Sequence, residues 1–335
     1  MTRYLNPFRE ILAIAVISTA LCVMVYNQAK IIAPLAKHNL ETFISFNQEV
    51  RFGYAETDIG LLDLEKDWRP RILSLLAGSL ATRPAFLTDN PATHYPRLIG
   101  LYSAVWLGLT FFLLLLTFGR EALFPILGTF AAVAFAYMPG MADRIYPWDL
   151  PSLFFFTLFV CLLHRQRLNW FLLVLPLAVL FKETAVVLTL AYLFRAGTGT
   201  KRLLYFAAAA ALAFFAKLSA DLLTDSLGRF TLDTGFLKTN VRYLIRGTFP
   251  YPEWYPGLTG FSHPLFLNAG LLLAFFLYPF RSHPLGMLRV IVLCYVAGMF
   301  FYGIIFEYRI WIDITPLLLY PLMPAGKGNP AAEKT

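Results

Sequence analysis

The sequence predicts an all-α, polytopic transmembrane helix bundle. Of its 335 residues, 58% are hydrophobic and 14% are charged. Several apolar runs approach the roughly 20 residues that a membrane-spanning helix needs, which a soluble core of this size does not require. The formal net charge is +8, but the basic residues form no stripe with interleaved aromatic residues. Nucleic acid is therefore excluded as an expected partner, and membrane lipids are expected.

The apolar runs form a single transmembrane domain over 1–324, followed by a short polar tail over 325–335. The predicted membrane segments are 11–32, 98–118, 122–138, 151–163, 170–194, 202–218, 264–280, 288–306 and 314–324. With a cytoplasmic N-terminus, the cytoplasmic segments hold 12 Lys or Arg and 3 Asp or Glu, in agreement with the positive-inside rule. We therefore expect both termini in the cytoplasm and long outer loops at about 34–97 and 219–262.

The first outer loop contains an amphipathic stretch, Asp67–Arg83. Arg69 and Arg71 lie at its start, and its apolar side consists of Ile72, Leu73, Leu75, Leu76 and Leu80. This pattern predicts a helix that lies in the membrane interface with its apolar face in lipid.

A short outer turn follows the third segment and carries Arg144, Tyr146 and Asp149. Asp149 comes directly before a predicted helix, where an acid is favoured by capping and by the helix dipole. It is either such a cap or a functional carboxylate that acts as a base or a metal ligand. Arg144 either pairs with a nearby acid or binds a phosphate through its two-pronged guanidinium.

The run Trp170–Phe194 places Lys182 and Glu183 near the middle of apolar sequence. Basic residues flank both of its ends, and each arm of about 12 residues is too short for a core of about 30 Å. The pattern predicts a half-length hairpin with Lys182 at the tip, in a cavity open to the outer side. The two charges are either a structural pair or part of a site. Adjacent helical side chains do not face each other, so we expect another partner for Lys182, such as a lipid phosphate.

A final outer segment, Phe306–Pro321, carries Glu307, Arg309 and Asp313. Arg309 and Asp313 are four residues apart and form an ordinary surface pair if the segment is helical. Alternatively, Arg309 lies at the mouth of the cavity that holds Lys182 and binds an anionic headgroup.

This order of segments resembles the GT-C superfamily of integral-membrane glycosyltransferases. The matching motifs are WRPRILS (68–74), RIYPWDLPSLFFF (144–156), LFKETA (180–185) and EYRIWIDITPLL (307–318). The resemblance implies a GT-C-like fold and an enzyme that transfers a sugar from a polyprenyl-phosphate donor. Transfer would take place at the outer face of a plasma membrane, which we expect to be a bacterial inner membrane. The alternative is a non-enzymatic carrier, a flippase or an assembly partner for lipid-linked sugars.

The resemblance also assigns candidate residues. Asp149 matches the second essential acid, and the first is Glu56 or Asp58, with Glu41 closer to the first span. The predicted substrate-binding residues are Arg144, Tyr146, Lys182, Glu183, Glu307 and Arg309. Members of the superfamily differ in their use of a divalent cation, so magnesium or manganese is left open, and the sugar and the acceptor are not identified.

Overall fold

The computed structural model of the chain describes most of its apolar segments. The described residues are 72–87, 91–136, 146–195, 197–223, 237–242, 272–277, 283–303 and 308–323, with the single positions 16, 19 and 23. Within these ranges the regular elements are helical and no strand occurs. The predicted all-α class is confirmed for this part of the chain, and the predicted segment 11–32 lies outside it apart from those three positions.

The described part of the chain contains nine α-helices and one long 3-10 helix, alongside shorter 3-10 turns and short helical pieces. The α-helices are α1 (Ile72–Thr82), α2 (Pro91–Phe118), α3 (Leu123–Ala136), α4 (Asp149–His164), α5 (Phe171–Phe181), α6 (Gly199–Leu223), α7 (His283–Tyr302), α8 (Tyr308–Ile312) and α9 (Thr315–Leu319). The 3-10 helix Glu183–Phe194 follows α5 and is called the 3-10 arm. Most of these bounds lie within a few residues of the predicted segments, but α2 begins at Pro91 rather than at 98, and the last segment begins within the α8–α9 connection. Of the predicted segment 264–280, the structure describes only 272–277.

Three helices in the described ranges are long and apolar enough to cross a membrane. They are Arg97–Phe118 with 22 residues, Gly199–Leu222 with 24 and Pro284–Phe301 with 18. The helices α3, α4 and α5 and the 3-10 arm are apolar but shorter. These lengths identify the chain as a membrane protein.

Helix α2 has one exposed apolar side and one side that is buried in the bundle. Large apolar side chains recur every three or four residues on its exposed side: Leu101, Val105, Leu109, Phe112 and Leu116. Its opposite side is buried, with Leu107, Phe111 and Leu114 at 0–1% exposure. An exposed apolar stripe of this length is unfavourable in water and favourable in a bilayer.

Helix α1 packs against α2 and α5. Its buried side consists of the small residues Ser74, Gly78 and Thr82, spaced four apart, and Leu80 is 57% exposed. Small residues at this spacing let two helices approach closely. The small-residue side of α1 is therefore its buried side, while of the predicted apolar side Leu76 packs against the core and Leu80 is exposed.

The chain reverses direction between α5 and the 3-10 arm. The Tyr192 hydroxyl at the end of the arm donates to the carbonyl of Leu168, just before α5, at 2.9 Å. A single straight helix would separate these residues by about 36 Å. The starting end of α5 and the finishing end of the arm therefore lie side by side, and Lys182 lies at the opposite end of both.

The helices α8 and α9 pack against α3 and α4. A close approach at Gly128 contributes to this packing, because a Cβ atom there would lie 2.9 Å from Leu319 Cδ2. Asp313 lies in the connection between α8 and α9, so this packing brings it towards the start of α4.

Candidate functional site

Three segments that are distant in sequence bring their charged side chains together. Lys182 Nζ lies 3.1 Å from Asp149 Oδ1, and it lies 3.1 Å and 3.0 Å from Asp313 Oδ1 and Oδ2. We call these three residues the charge cluster. Asp149 and Asp313 are fully buried and Lys182 is 5% exposed, so their attraction is screened far less than at a surface.

Two hydroxyl groups complete the surroundings of Asp313. Thr184 Oγ1 donates to Asp313 Oδ2 at 2.9 Å. The Tyr295 hydroxyl from α7 lies 2.9 Å from the same oxygen and 2.6 Å from the carbonyl oxygen of Ile310. Both oxygens of Asp313 therefore have partners.

The Asp149 carboxylate, unlike that of Asp313, has a hydrogen-bond partner at only one of its two oxygens. It is the first residue of α4, the helix has no side-chain capping hydrogen bond, and Asp149 Oδ1 contacts Lys182. Asp149 Oδ2 is buried and has no hydrogen-bond partner in the described structure. The carboxylate is therefore turned into the charge cluster instead of capping α4, and one of its oxygens is free to accept a proton or a hydrogen bond.

The backbone at Lys182 explains how its side chain reaches both acids. Helix α5 ends at Phe181, and Lys182 adopts an extended conformation with φ −156° and ψ 123°. Ending the helix leaves carbonyl groups without helical partners. Ser74 Oγ from α1 satisfies the carbonyl of Phe181 at 2.6 Å, and the Lys182 carbonyl accepts from the Ala185 N–H at 3.1 Å. Hydrogen bonds from Ser74 of α1 and from Ala185 of the 3-10 arm therefore stabilise the helix break at the hairpin tip.

The structure gives Lys182 partners that differ from our expectation. The predicted partner was a lipid phosphate beside Arg144 and Arg309, but the carboxylates of Asp149 and Asp313 take that position. The sequence predicts Asp313 only as a surface partner of Arg309, yet Asp313 is fully buried and binds Lys182. The charge on Lys182 is thus compensated within the protein.

The other predicted site residues are distributed as follows. Tyr146 is buried, and its ring centroid lies 4.6 Å from that of Trp148, next to Asp149. Glu183 is half-buried beside Lys182, and Arg309 lies in α8. Outside the described residues lie Glu41, Glu56, Asp58, Arg144 and Glu307. Their assigned roles stay predictions.

Sequence reasoning missed Thr184, Tyr295 and Ser74 and underestimated Asp313. One signal for Asp313 was present, because an acid in the apolar run IWIDITP needs a buried cation. The small-residue spacing Ser74–Gly78–Thr82 was a signal for the helix contact. No sequence signal distinguished Tyr295 from the other tyrosines in apolar segments.

The residues of the charge cluster do not fit a divalent cation. Magnesium and manganese need several oxygen ligands around one point, but here the Lys182 ammonium lies between the two carboxylates. Within the described ranges no group of three His, Cys, Asp or Glu side chains is placed to hold a metal ion. No step is therefore assigned to a metal at these residues.

No protein-family model, no curated protein and no solved structure matches the chain.

Proposed function

We propose that this chain is an integral-membrane glycosyltransferase that moves a sugar from a polyprenyl-phosphate donor to an acceptor hydroxyl at the outer membrane face. The observation that carries the proposal is Asp149, whose Oδ2 is unpartnered while Lys182 holds Oδ1. A carboxylate that is held at one oxygen and has no hydrogen-bond partner at the other is suited to act as a general base.

In the proposed reaction the acceptor oxygen attacks the anomeric carbon of the sugar. The bond between that carbon and the phosphate oxygen breaks, and polyprenyl phosphate leaves with the bonding electrons. Asp149 takes the proton of the acceptor hydroxyl at Oδ2. Because Lys182 is already paired with two acids, stabilising the leaving phosphate falls to Arg144 and Arg309 in this proposal.

The direction of the hairpin supports an outer location for the charge cluster. The basic residues Arg165, Arg167 and Arg195 lie at the end where α5 starts and the 3-10 arm finishes, and Lys182 lies at the other end. Basic ends favour the cytoplasm. Helix α5 rises about 16 Å, which favours a GT-C-like half-length hairpin whose tip faces an outer cavity.

The second candidate is a carrier or flippase for lipid-linked sugars. The observation that favours it is the complete burial of the charge cluster, since Asp149 and Asp313 are 0% exposed. A buried ion pair can hold helices in register without taking part in chemistry.

The test is sugar transfer by the purified protein in nanodiscs, with a panel of polyprenyl-phosphate-linked sugars. We expect Asp149→Asn to reduce transfer by at least about 100-fold, the scale of a positioned base, while binding of the same donors is retained. Asp221→Asn, which removes an acid paired with Lys217 on α6, is the matched control and should leave transfer unchanged. Full activity in Asp149→Asn would remove Asp149 from the mechanism. Donor binding without transfer by the wild-type protein across the panel would favour the carrier.

A further inference from the structure

Within the part of the chain that the structure describes, the three side chains of the charge cluster carry an unbalanced formal charge. Two carboxylates, Asp149 on α4 and Asp313 after α8, face one ammonium, Lys182 at the hairpin tip. An uncompensated charge inside a protein is strongly disfavoured, and such groups normally neutralise by taking up a proton. One extra proton would balance the cluster.

The hydrogen bonds of Tyr295 indicate where that proton lies. Its hydroxyl has one hydrogen but lies 2.6 Å from the Ile310 carbonyl oxygen and 2.9 Å from Asp313 Oδ2. The carbonyl can only accept. If Asp313 were ionised, both neighbours would be acceptors and one contact would hold no hydrogen. If Asp313 carries a proton on Oδ2, that proton is donated to Tyr295, whose own hydrogen goes to Ile310.

Asp149 offers no comparable place for the proton. Its Oδ2 has no partner to which a proton would be donated, and its Oδ1 faces the Lys182 ammonium, which is itself a donor. Asp149 also lies in the first turn of the 16-residue helix α4, where the helix dipole favours a negative charge. Asp149 is therefore the site of the negative charge.

We infer that Asp313 is a neutral carboxylic acid whose proton is shared with Tyr295, and that it is a positioning residue for Lys182. Its Oδ1 accepts from the ammonium at 3.1 Å. Its Oδ2, 3.0 Å from the same nitrogen, accepts from Thr184 and donates its proton to Tyr295. The neutral acid does not compete for the charge of the ammonium, so that charge is left to Asp149. This inference goes beyond the proposed function and does not depend on it.

The test is infrared spectroscopy of the full chain in lipid at neutral pH, with aspartate labelled by ¹³C at the side-chain carboxyl. The C=O stretch of a protonated carboxylic acid is separated from the carboxylate bands, and the label identifies it as aspartate. We expect one such isotope-sensitive band in the wild-type protein. Its absence would overturn the inference.

Three variants test whether the proton lies on Asp313. Asp313→Asn is expected to abolish the band. Tyr295→Phe keeps the ring but removes the acceptor, so the band is expected to shift or disappear. Ser152→Ala, which changes a buried side chain on α4 close in sequence to Asp149, should leave the band unchanged. An unchanged band in Tyr295→Phe would overturn the inference even if Asp313→Asn does not fold, because the proton would then lie elsewhere.

Discussion

Lys182 shows how a single buried cation organises its neighbours. It holds Asp149 and Asp313 at about 3 Å, and Thr184, two residues later, holds Asp313 by its hydroxyl. Desolvating these charges costs several kcal/mol per ion, and their attraction offsets that cost only while all partners are present. The charge cluster is therefore sensitive to the loss of one member.

We predict that Lys182→Met lowers the free energy of unfolding by about 3–5 kcal/mol, because it leaves buried acid without its cation. Lys217→Met is the matched control: it breaks an i,i+4 pair with Asp221 whose side chains are 21% and 15% exposed, and it should cost less than about 1 kcal/mol. The measurement is denaturant unfolding of the purified proteins in detergent micelles. The double variant Lys182→Met with Asp149→Asn should recover part of the loss, and equal stability of Lys182→Met and wild type would show that the pair does not stabilise the fold.

At the scale of elements, the hairpin α5–3-10 arm determines where Lys182 lies. Its two ends are joined by the Tyr192–Leu168 hydrogen bond, and its tip is supported by Ser74 of α1. Neither arm is long enough to cross a membrane alone. Because the ends meet, the residues on either side of the hairpin lie at the same end of it.

We predict that cysteines at Asn169 and Thr198, both exposed, react with a membrane-impermeant thiol reagent from the same side, the cytoplasmic side. The background lacks Cys22, Cys161 and Cys294, the three native cysteines. Arg97→Cys is the control and should react from the opposite side, since Arg97 begins a 22-residue apolar span that ends at Phe118. Labelling of Asn169→Cys and Thr198→Cys from opposite sides would contradict the hairpin.

At the scale of the whole molecule, the exposed apolar side chains indicate which solvent surrounds the protein. Helix α6 exposes Leu203, Leu204, Phe214 and Phe215 at 61–68%, and α7 exposes Leu293 at 59%. Together with the stripe on α2, these surfaces need contact with lipid tails. The charge cluster lies inside this apolar surface, which explains why its charges are paired within the protein.

We predict that a spin label at Phe112, which is 57% exposed, is strongly relaxed by oxygen dissolved in the bilayer and only weakly by a water-soluble nickel chelate. Lipid-facing sites concentrate the apolar relaxant and exclude the polar one. A label at Arg97, an exposed residue at the start of the span, is the matched control and should show the reverse preference. Stronger relaxation by the chelate at Phe112 would contradict a lipid-facing stripe.

The resemblance in motifs singled out Asp149 as a candidate acid. The sequence by itself determined the all-helical membrane class, most ends of the helices α2 to α7 to within a few residues, and the choice of Lys182 as a candidate. These follow from local properties: the length of apolar runs, basic flanks, and the cost of a charge in apolar surroundings. Only the tertiary structure decided that Asp149 and Lys182 bind each other and that Asp313, rather than a lipid phosphate, is the second partner. Asp313 is 131 residues from Lys182 in sequence. Such a pairing depends on how α8 and α9 pack against α3 and α4, and no periodicity within a single segment contains that information.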